Sequence, residues 1–175
     1  MKAKDQLPPL HIAAVTGMSE LCKFVMFKTD YESSKERIEV TIDFLEDKKF
    51  IARRCTALHL AALKGHFDVC KIIFEQTEDK NYSNSDGDTP LHYAAKNGHL
   101  QICKFLIENG MDKSMQNKNR QTPFDLAEYN AYFGVCILLN PSLFWKRIFI
   151  DHFVLLMIIA ILIAFCFLLR WALSP

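Results

Sequence analysis

One sequence pattern recurs along most of this chain, and it limits the possible folds more than any other feature. CTALHLAALKGHFDVCKIIF begins at Cys55, DTPLHYAAKNGHLQICKFLI at Asp88 and QTPFDLAEYNAYFGVCILL at Gln121, so successive copies are 33 residues apart. An earlier copy, PPLHIAAVTGMSELCKFV, begins at Pro8, and its Pro9 lies 48 residues before the matching Ala57, which leaves fifteen inserted residues. A repeat of this length cannot bury its apolar face alone, so the copies are expected to stack.

The repeated pattern resembles the ankyrin repeat. The third copy holds the whole family signature, namely Thr89, Pro90, Leu91, His92, Ala94, Ala95, Gly98 and His99. The departures fall in the other copies. In the first, Pro8 replaces threonine and Met18 replaces histidine, and in the second Ala57 replaces proline. In the fourth, Asp125, Glu128 and Ala131 replace histidine, alanine and glycine. Terminal repeats are expected to be degenerate because one face of each meets solvent.

This resemblance implies an all-α solenoid of helix-turn-helix repeats joined by hairpin loops, and the apolar C-terminal segment predicts one transmembrane helix after it. We place the ankyrin repeats at 8–139, as about 8–29, 55–87, 88–120 and 121–139, with an insertion at 30–54. Thr89 suits the N-cap of a first helix, Pro90 its first turn, and Gly98 a left-handed residue after its end. Within the insertion, Ile38, Val40, Ile42 and Phe44 alternate with polar residues, which is a strand pattern. It is either an extended loop or short hairpin against the stack, or a recognition finger.

The cysteines and histidines follow the repeat register, which argues against a metal site or a catalytic site. Cys22, Cys70, Cys103 and Cys136 share one repeat position, and no C-x2-C pair exists. We expect buried structural thiols in a reducing compartment. His11, His59 and His92 share a second position, and His66 and His99 share a third. No catalytic motif is present, so no enzyme activity, cofactor or small-molecule substrate is expected.

A protein partner is expected on the concave face, which the resemblance assigns to the hairpin tips and first helices. The candidate positions are Arg53, Cys55, Leu63 and Lys64 in the second repeat, Ser85, Asp86, Asp88, Lys96 and Asn97 in the third, and Lys118, Asn119, Gln121, Tyr129 and Asn130 in the fourth. Their mixed charge fits a protein better than a polyanion. The net charge of +1 likewise gives no support for nucleic acid. Arg120 stands where a turn glycine is usual, so the geometry of the fourth tip is open.

The C-terminal segment predicts a bilayer anchor. Residues 153–169 read FVLLMIIAILIAFCFLL, seventeen residues without charge, and a transmembrane helix is expected over 148–173 after a linker at 140–147. Lys146 and Arg147 precede the run and Arg170 follows it, so the positive-inside rule favours a cytosolic ankyrin domain. The short span favours the endoplasmic reticulum slightly over the plasma membrane. The chain ends soon after the run, as tail-anchored proteins do.

Three functional interpretations follow. The first is a membrane-anchored scaffold or adaptor that binds a cytosolic or membrane protein. The second is a fragment of a multi-span ion channel, because ankyrin repeats directly before a membrane span resemble transient receptor potential-type channels. The third is a soluble scaffold whose apolar run is a core helix, which an apolar surface on every side argues against.

Overall fold

The computed structural model describes residues 8–28, 38–44, 48–77, 81–150 and 157. Its first compact unit is Met1–Leu139 and contains four helix pairs among those residues. They are α1 (Pro9–Thr16) with α2 (Ser19–Lys28), α3 (Ala57–Lys64) with α4 (Phe67–Glu75), α5 (Pro90–Lys96) with α6 (Leu100–Glu108), and α7 (Pro123–Tyr129) with α8 (Phe133–Leu139). The predicted helical repeats are therefore confirmed.

The first helices α1, α3, α5 and α7 pack side by side in one row, and α2, α4, α6 and α8 form a second row against them. Close approach within the first row depends on small side chains: the alanine pairs at 13 and 14, 61 and 62, and 94 and 95 are fully buried. Larger side chains fill the space between rows, including Leu60, Ile73, Leu91, Ile102 and Leu106. Each such burial contributes about 1.5–3 kcal/mol.

A β-hairpin is inserted in the chain between α2 and α3, so the prediction of an all-α fold was wrong in this respect. Strand β1 (Ile38–Phe44) pairs antiparallel with β2 (Lys48–Cys55), and the pairing is irregular between Ile38 and Val40. The strand pattern of the insertion is thus confirmed. β2 ends directly before Thr56, the N-cap of α3, so the hairpin leads straight into the second repeat.

Neighbouring repeats are joined where each first helix ends. Gly17, Gly65 and Gly98 all have positive φ. An aromatic ring from the next repeat lies against each glycine, and these rings are His66, His99 and Tyr132 in that order. His66 Nε2 donates to the carbonyl of Val15 at 3.0 Å, and His99 Nε2 donates to the carbonyl of Leu63 at 3.1 Å. These bonds fix the spacing between repeats, because each histidine spans from one repeat to the one before it.

The cysteines at the shared repeat position are all buried, as the repeat register predicts. Cys22, Cys70, Cys103 and Cys136 have no exposed surface and form no disulfide. Burial raises the pKa of the Cys22 thiol to about 11 and that of Cys103 to about 12. Because the thiolate is the reactive form, these are inert packing residues.

The second compact unit is Asn140–Pro175. Residues 141–150 are helical, although a linker was predicted over 140–147. Ser142 Oγ and the Leu143 N–H both donate to Asn140 Oδ1, which caps the start of this helix. Of the described helices, none combines the length and the apolar character needed to cross a membrane. Of the transmembrane helix predicted over 148–173, residues 151–156 and 158–173 lie outside the described residues.

Candidate protein-binding surface

Two hairpin tips, 81–89 and 114–122, are built around asparagines 33 residues apart. Asn84 Oδ1 accepts from the N–H groups of Asp86 and Asp88, both at 2.9 Å. Asn117 Oδ1 accepts from Asn119 and Gln121, both at 3.0 Å. Asparagine side chains commonly form such turns with the backbone that follows. Each tip is therefore held from within by one buried amide.

Histidines connect the tips to the helices. The Thr89 N–H donates to His92 Nδ1 at 3.1 Å, so Nδ1 carries no proton, and the Thr89 hydroxyl can donate to the same atom at 2.8 Å. The proton of the neutral ring therefore lies on Nε2, which donates to the Gln121 carbonyl at 3.1 Å. Burial lowers the pKa of His92 and favours this neutral form. His59 makes the matching bonds to Thr56 and to the Asp88 carbonyl.

In the fourth repeat, Asp125 takes the place of this histidine and makes the corresponding bonds to the threonine at the start of its helix. Asp125 Oδ2 accepts from the Thr122 N–H at 2.9 Å and from its hydroxyl at 2.6 Å. A carboxylate supplies the acceptor that caps α7. A carboxylate has no N–H group, so it cannot donate the bond that Nε2 of His59 and of His92 donates to the next tip. The Asp125 substitution thus preserves the start of α7.

Direct bonds also join the third and fourth tips. The Lys118 N–H donates to the Asp86 carbonyl at 2.9 Å, and Asn117 Nδ2 donates to Asp88 Oδ1 at 2.8 Å. A Cβ on Gly87 would lie 3.1 Å from the backbone of Asn117 and of Lys118. The two tips therefore form a continuous edge that displays side chains from both repeats.

Most of the predicted contact residues lie at accessible positions. Asp86, Lys96, Lys118, Asn119, Tyr129 and Asn130 are exposed, and Lys64, Ser85, Asp88, Asn97 and Gln121 are half-buried. Tyr129 is 87 % exposed, which is unusual for an aromatic side chain. The exposure of the Arg53 side chain lies outside what the structure describes. The residues named here supply a surface with both charged and aromatic groups.

Two predicted contact residues are buried instead. Leu63 is 5 % exposed, because it faces the packed interior at the end of α3, and its carbonyl accepts from His99. Cys55 is fully buried, with Tyr93 Oη at 3.6 Å and Asn84 Nδ2 at 3.7 Å from its sulfur. Both residues support the surface from beneath, and neither side chain can contact a partner.

Two exposed arginines at corresponding tip positions, Arg54 and Arg120, were not among the predicted contact residues. Arg54, Gly87 and Arg120 are 33 residues apart and all have positive φ, at 54°, 80° and 59°. Both arginine side chains are exposed. The repeat period was the signal that could have found Arg54, since it places this residue at the same tip position as Gly87. We call Arg54, Lys64, Asp86, Asp88, Lys96, Lys118, Arg120 and Tyr129 the tip surface.

The chemistry of this region is that of recognition. Within residues 8–28, 38–44, 48–77, 81–150 and 157, no three His, Cys, Asp or Glu side chains come close enough to hold a metal ion. His59 and His92, both buried, bond to backbone atoms and threonines of the repeat frame. What the tip surface offers is exposed cations, carboxylates and one tyrosine, which are groups that bind other macromolecules.

Comparison with known proteins identifies the repeat. A family model described as ankyrin repeats (3 copies) matches residues 1–84 and 58–144. None of the curated proteins matches the chain. Ankyrin repeats are protein-interaction modules and are generally non-catalytic. The stacked helix pairs, the left-handed turns and this match lead to one conclusion: the chain belongs to the ankyrin repeat family.

Proposed function

We propose that this chain is a membrane-anchored adaptor that binds another protein through its tip surface and holds that protein at a membrane, without catalysing a reaction. The protein-binding role rests on the difference between frame and surface positions. Frame positions recur in successive repeats, as His59 and His92 do. Surface positions change: the exposed Lys96 and Tyr129 occupy one repeat position. The fold does not require those surface side chains, so they are available for recognition.

Anchoring is supported by the uncharged run over 153–169, which is long enough to approach the thickness of a bilayer core. Only thirteen residues, 140–152, separate the run in sequence from α8, which ends at Leu139. A partner held by the tip surface would therefore be kept within a few nanometres of the membrane. Tethering raises the effective concentration of molecules on the same membrane, so a modest affinity suffices.

The binding role is tested by a pair of double variants in the full chain. Lys96→Ala with Tyr129→Ala removes two exposed side chains at the ends of first helices. Lys71→Ala with Ile137→Ala removes one cation and one apolar side chain from the second row, where both are exposed. Proteins that copurify with the chain should be lost with the first pair and kept with the second. Equal retention with both pairs would exclude the tip surface as the binding site.

Anchoring and orientation are tested by carbonate extraction and protease protection, with a tag at each end of the chain. We expect the protein to stay with membranes, the N-terminal tag to be digested and the C-terminal tag to be shielded. Imaging then distinguishes the endoplasmic reticulum, which the short span favours, from the plasma membrane. Release by carbonate would refute an integral anchor made by residues 148–173 alone.

The alternative is part of an ankyrin-bearing ion channel of transient receptor potential type. The order of the segments favours this alternative, because the ankyrin repeats come directly before an apolar run. Asp151 and His152 lie directly before that run. A transcript that encodes further apolar segments after Pro175 would support the channel.

A further inference from the structure

The tip surface carries more positive than negative charge. Its cations are Arg54, Lys64, Lys96, Lys118 and Arg120, whereas its carboxylates are Asp86 and Asp88. The whole chain has a net charge of only +1, so the excess of positive charge is local to the tip surface and does not reflect a basic composition of the whole chain. A local excess of one sign selects partners of the opposite sign and speeds their association.

Three of these cations are not neutralised by neighbouring side chains. Among the described residues, no carboxylate lies within ion-pair distance of Lys96, Lys118 or Arg120, and the described ion pairs are Lys23–Glu20 and Lys104–Glu108 on second-row helices. Asp88 already accepts a hydrogen bond from Asn117 at 2.8 Å. The positive charge of these three side chains is therefore presented to solvent.

Backbone conformation gives a second, independent observation. Arg54 and Arg120 are left-handed, at φ 54° and 59°, whereas the matching position in the third repeat is Gly87. A side chain with a Cβ destabilises this conformation, and glycine does not. Residues held in unfavourable backbone conformations cluster at binding sites. Two repeats thus have an exposed arginine where glycine would suit the fold better.

We propose that the tip surface binds an acidic segment of a partner protein, with Arg54 and Arg120 contacting its carboxylates. Arginine suits this role because its planar guanidinium pairs with a carboxylate through two parallel hydrogen bonds. Tyr129, 87 % exposed, adds an amphipathic contact of the kind found in protein interfaces. The inference rests on the proposed protein-binding function and specifies its partner.

A protein segment fits this surface better than a nucleic acid. Asp86 and Asp88 lie among the cations, on a tip that bonds directly to the next one. They would repel a phosphate backbone that carries one charge on every residue. An acidic peptide has spaced charges and neutral residues, so it can avoid the two carboxylates.

The test uses the full chain in a neutral detergent and the variant Arg54→Gly with Arg120→Gly. Glycine accepts the left-handed conformation, so this variant removes two charges without disturbing the fold. The matched control is Lys71→Gln with Lys104→Gln, which removes two exposed charges from the second-row helices. The probe is a fluorescein-labelled glutamate–tyrosine copolymer, followed by fluorescence anisotropy. A lysine–tyrosine copolymer and an oligothymidylate are the comparison probes.

We expect the parent chain to bind the glutamate–tyrosine copolymer more tightly than either comparison probe. The arginine variant should bind it about fivefold more weakly, and the control variant should bind it like the parent. Equal affinity of the parent and the arginine variant, equal loss in both variants, or no binding would overturn the proposal. Tighter binding of oligothymidylate would also overturn it, in favour of a nucleic-acid partner. The urea midpoint of the arginine variant shows that it remains folded.

A photocrosslinker separates failure of this inference from failure of the proposed function. In cells, a benzoylphenylalanine in place of Tyr129 reports a protein on the tip surface, and one in place of Ile137 reports a protein on the second row. Crosslinks at Tyr129 that persist in the arginine variant would refute the acidic partner alone. Crosslinks confined to Ile137 would refute the proposed binding surface itself.

Discussion

Three glycines with the same sign of φ should respond to alanine substitution in a graded series. Gly110 has φ +90° and open space around a built Cβ, whereas a Cβ on Gly98 would lie 2.5 Å from the Tyr132 ring. A Cβ on Gly65 would lie 2.6 Å from the His99 ring. Real Cβ atoms do not make such short contacts, so the two rings must move. The series therefore separates the cost of backbone conformation from the cost of repeat packing.

The magnitudes follow from adding these effects. A left-handed conformation costs alanine about 1–2 kcal/mol, and the loss of chain entropy in the unfolded state offsets about 0.4–1 kcal/mol. Gly110→Ala should therefore cost about 1 kcal/mol. Gly98→Ala adds an overpacking cost, at the low end of about 1–3 kcal/mol because Tyr132 is 39 % exposed and can shift. We expect a total of about 2 kcal/mol.

Gly65→Ala should cost the most, at about 3–4 kcal/mol. Its clashing ring belongs to His99, whose Nε2 donates to the Leu63 carbonyl at 3.1 Å. The ring cannot move away without losing this bond, which adds about 1 kcal/mol to the packing cost. Such a loss is a large part of the total stability of a domain of this size, which is about 5–15 kcal/mol.

The assay is urea unfolding of the full chain, followed by far-UV circular dichroism, at one protein concentration. Gly134→Ala is the control, because it lies inside α8 and its Cβ would meet Leu100 Cδ2 at an ordinary 3.7 Å. Alanine favours the helix, so we expect a gain of about 0.5–1 kcal/mol. Equal losses for Gly65→Ala and Gly110→Ala would show that the histidine contact between repeats does not contribute to stability.

Further predictions concern the histidine network, the left-handed side chains and the buried thiols. Burial lowers the pKa of His92 from 6.5, so the contribution of neutral His92 to the free energy of unfolding is complete above pH 6.5 and is lost as the pH falls. His92→Asn should therefore make the urea midpoint less dependent on pH. An unchanged pH dependence in this variant would contradict the prediction. Arg120→Gly and Ala131→Gly, with parent φ of 59° at both positions, should each stabilise the chain by about 0.5–1 kcal/mol in urea unfolding, whereas a loss would argue against the left-handed geometry. Cys22, Cys70 and Cys103 should resist iodoacetamide at neutral pH until the chain unfolds, as peptide mass spectrometry would show; rapid labelling of the native protein would contradict their burial.

The sequence alone determined the repeat and its register, because every repeat must bury the same groups. The shared cysteine position, the threonine N-caps and the glycines after the first helices could all be predicted from the amino-acid pattern, since each follows from local geometry or from burial on one face. The strand at Ile38–Phe44 could also be predicted, because the alternation of apolar and polar residues is a local signal. The candidate partner-binding positions came from the resemblance to ankyrin repeats, mapped onto the chain through the same register.

Only the tertiary structure decided which of those positions are accessible and how the tips are held. Leu63 holds the repeat position of exposed Lys96, yet it is buried, because exposure depends on neighbours distant in sequence. The proton on His92 Nε2 is assigned by a carbonyl 29 residues away. The left-handed conformation of Arg54 and Arg120 likewise cannot be predicted from arginine, which disfavours it. Local propensity specifies the repeat, whereas contacts between repeats specify the surface that a partner meets.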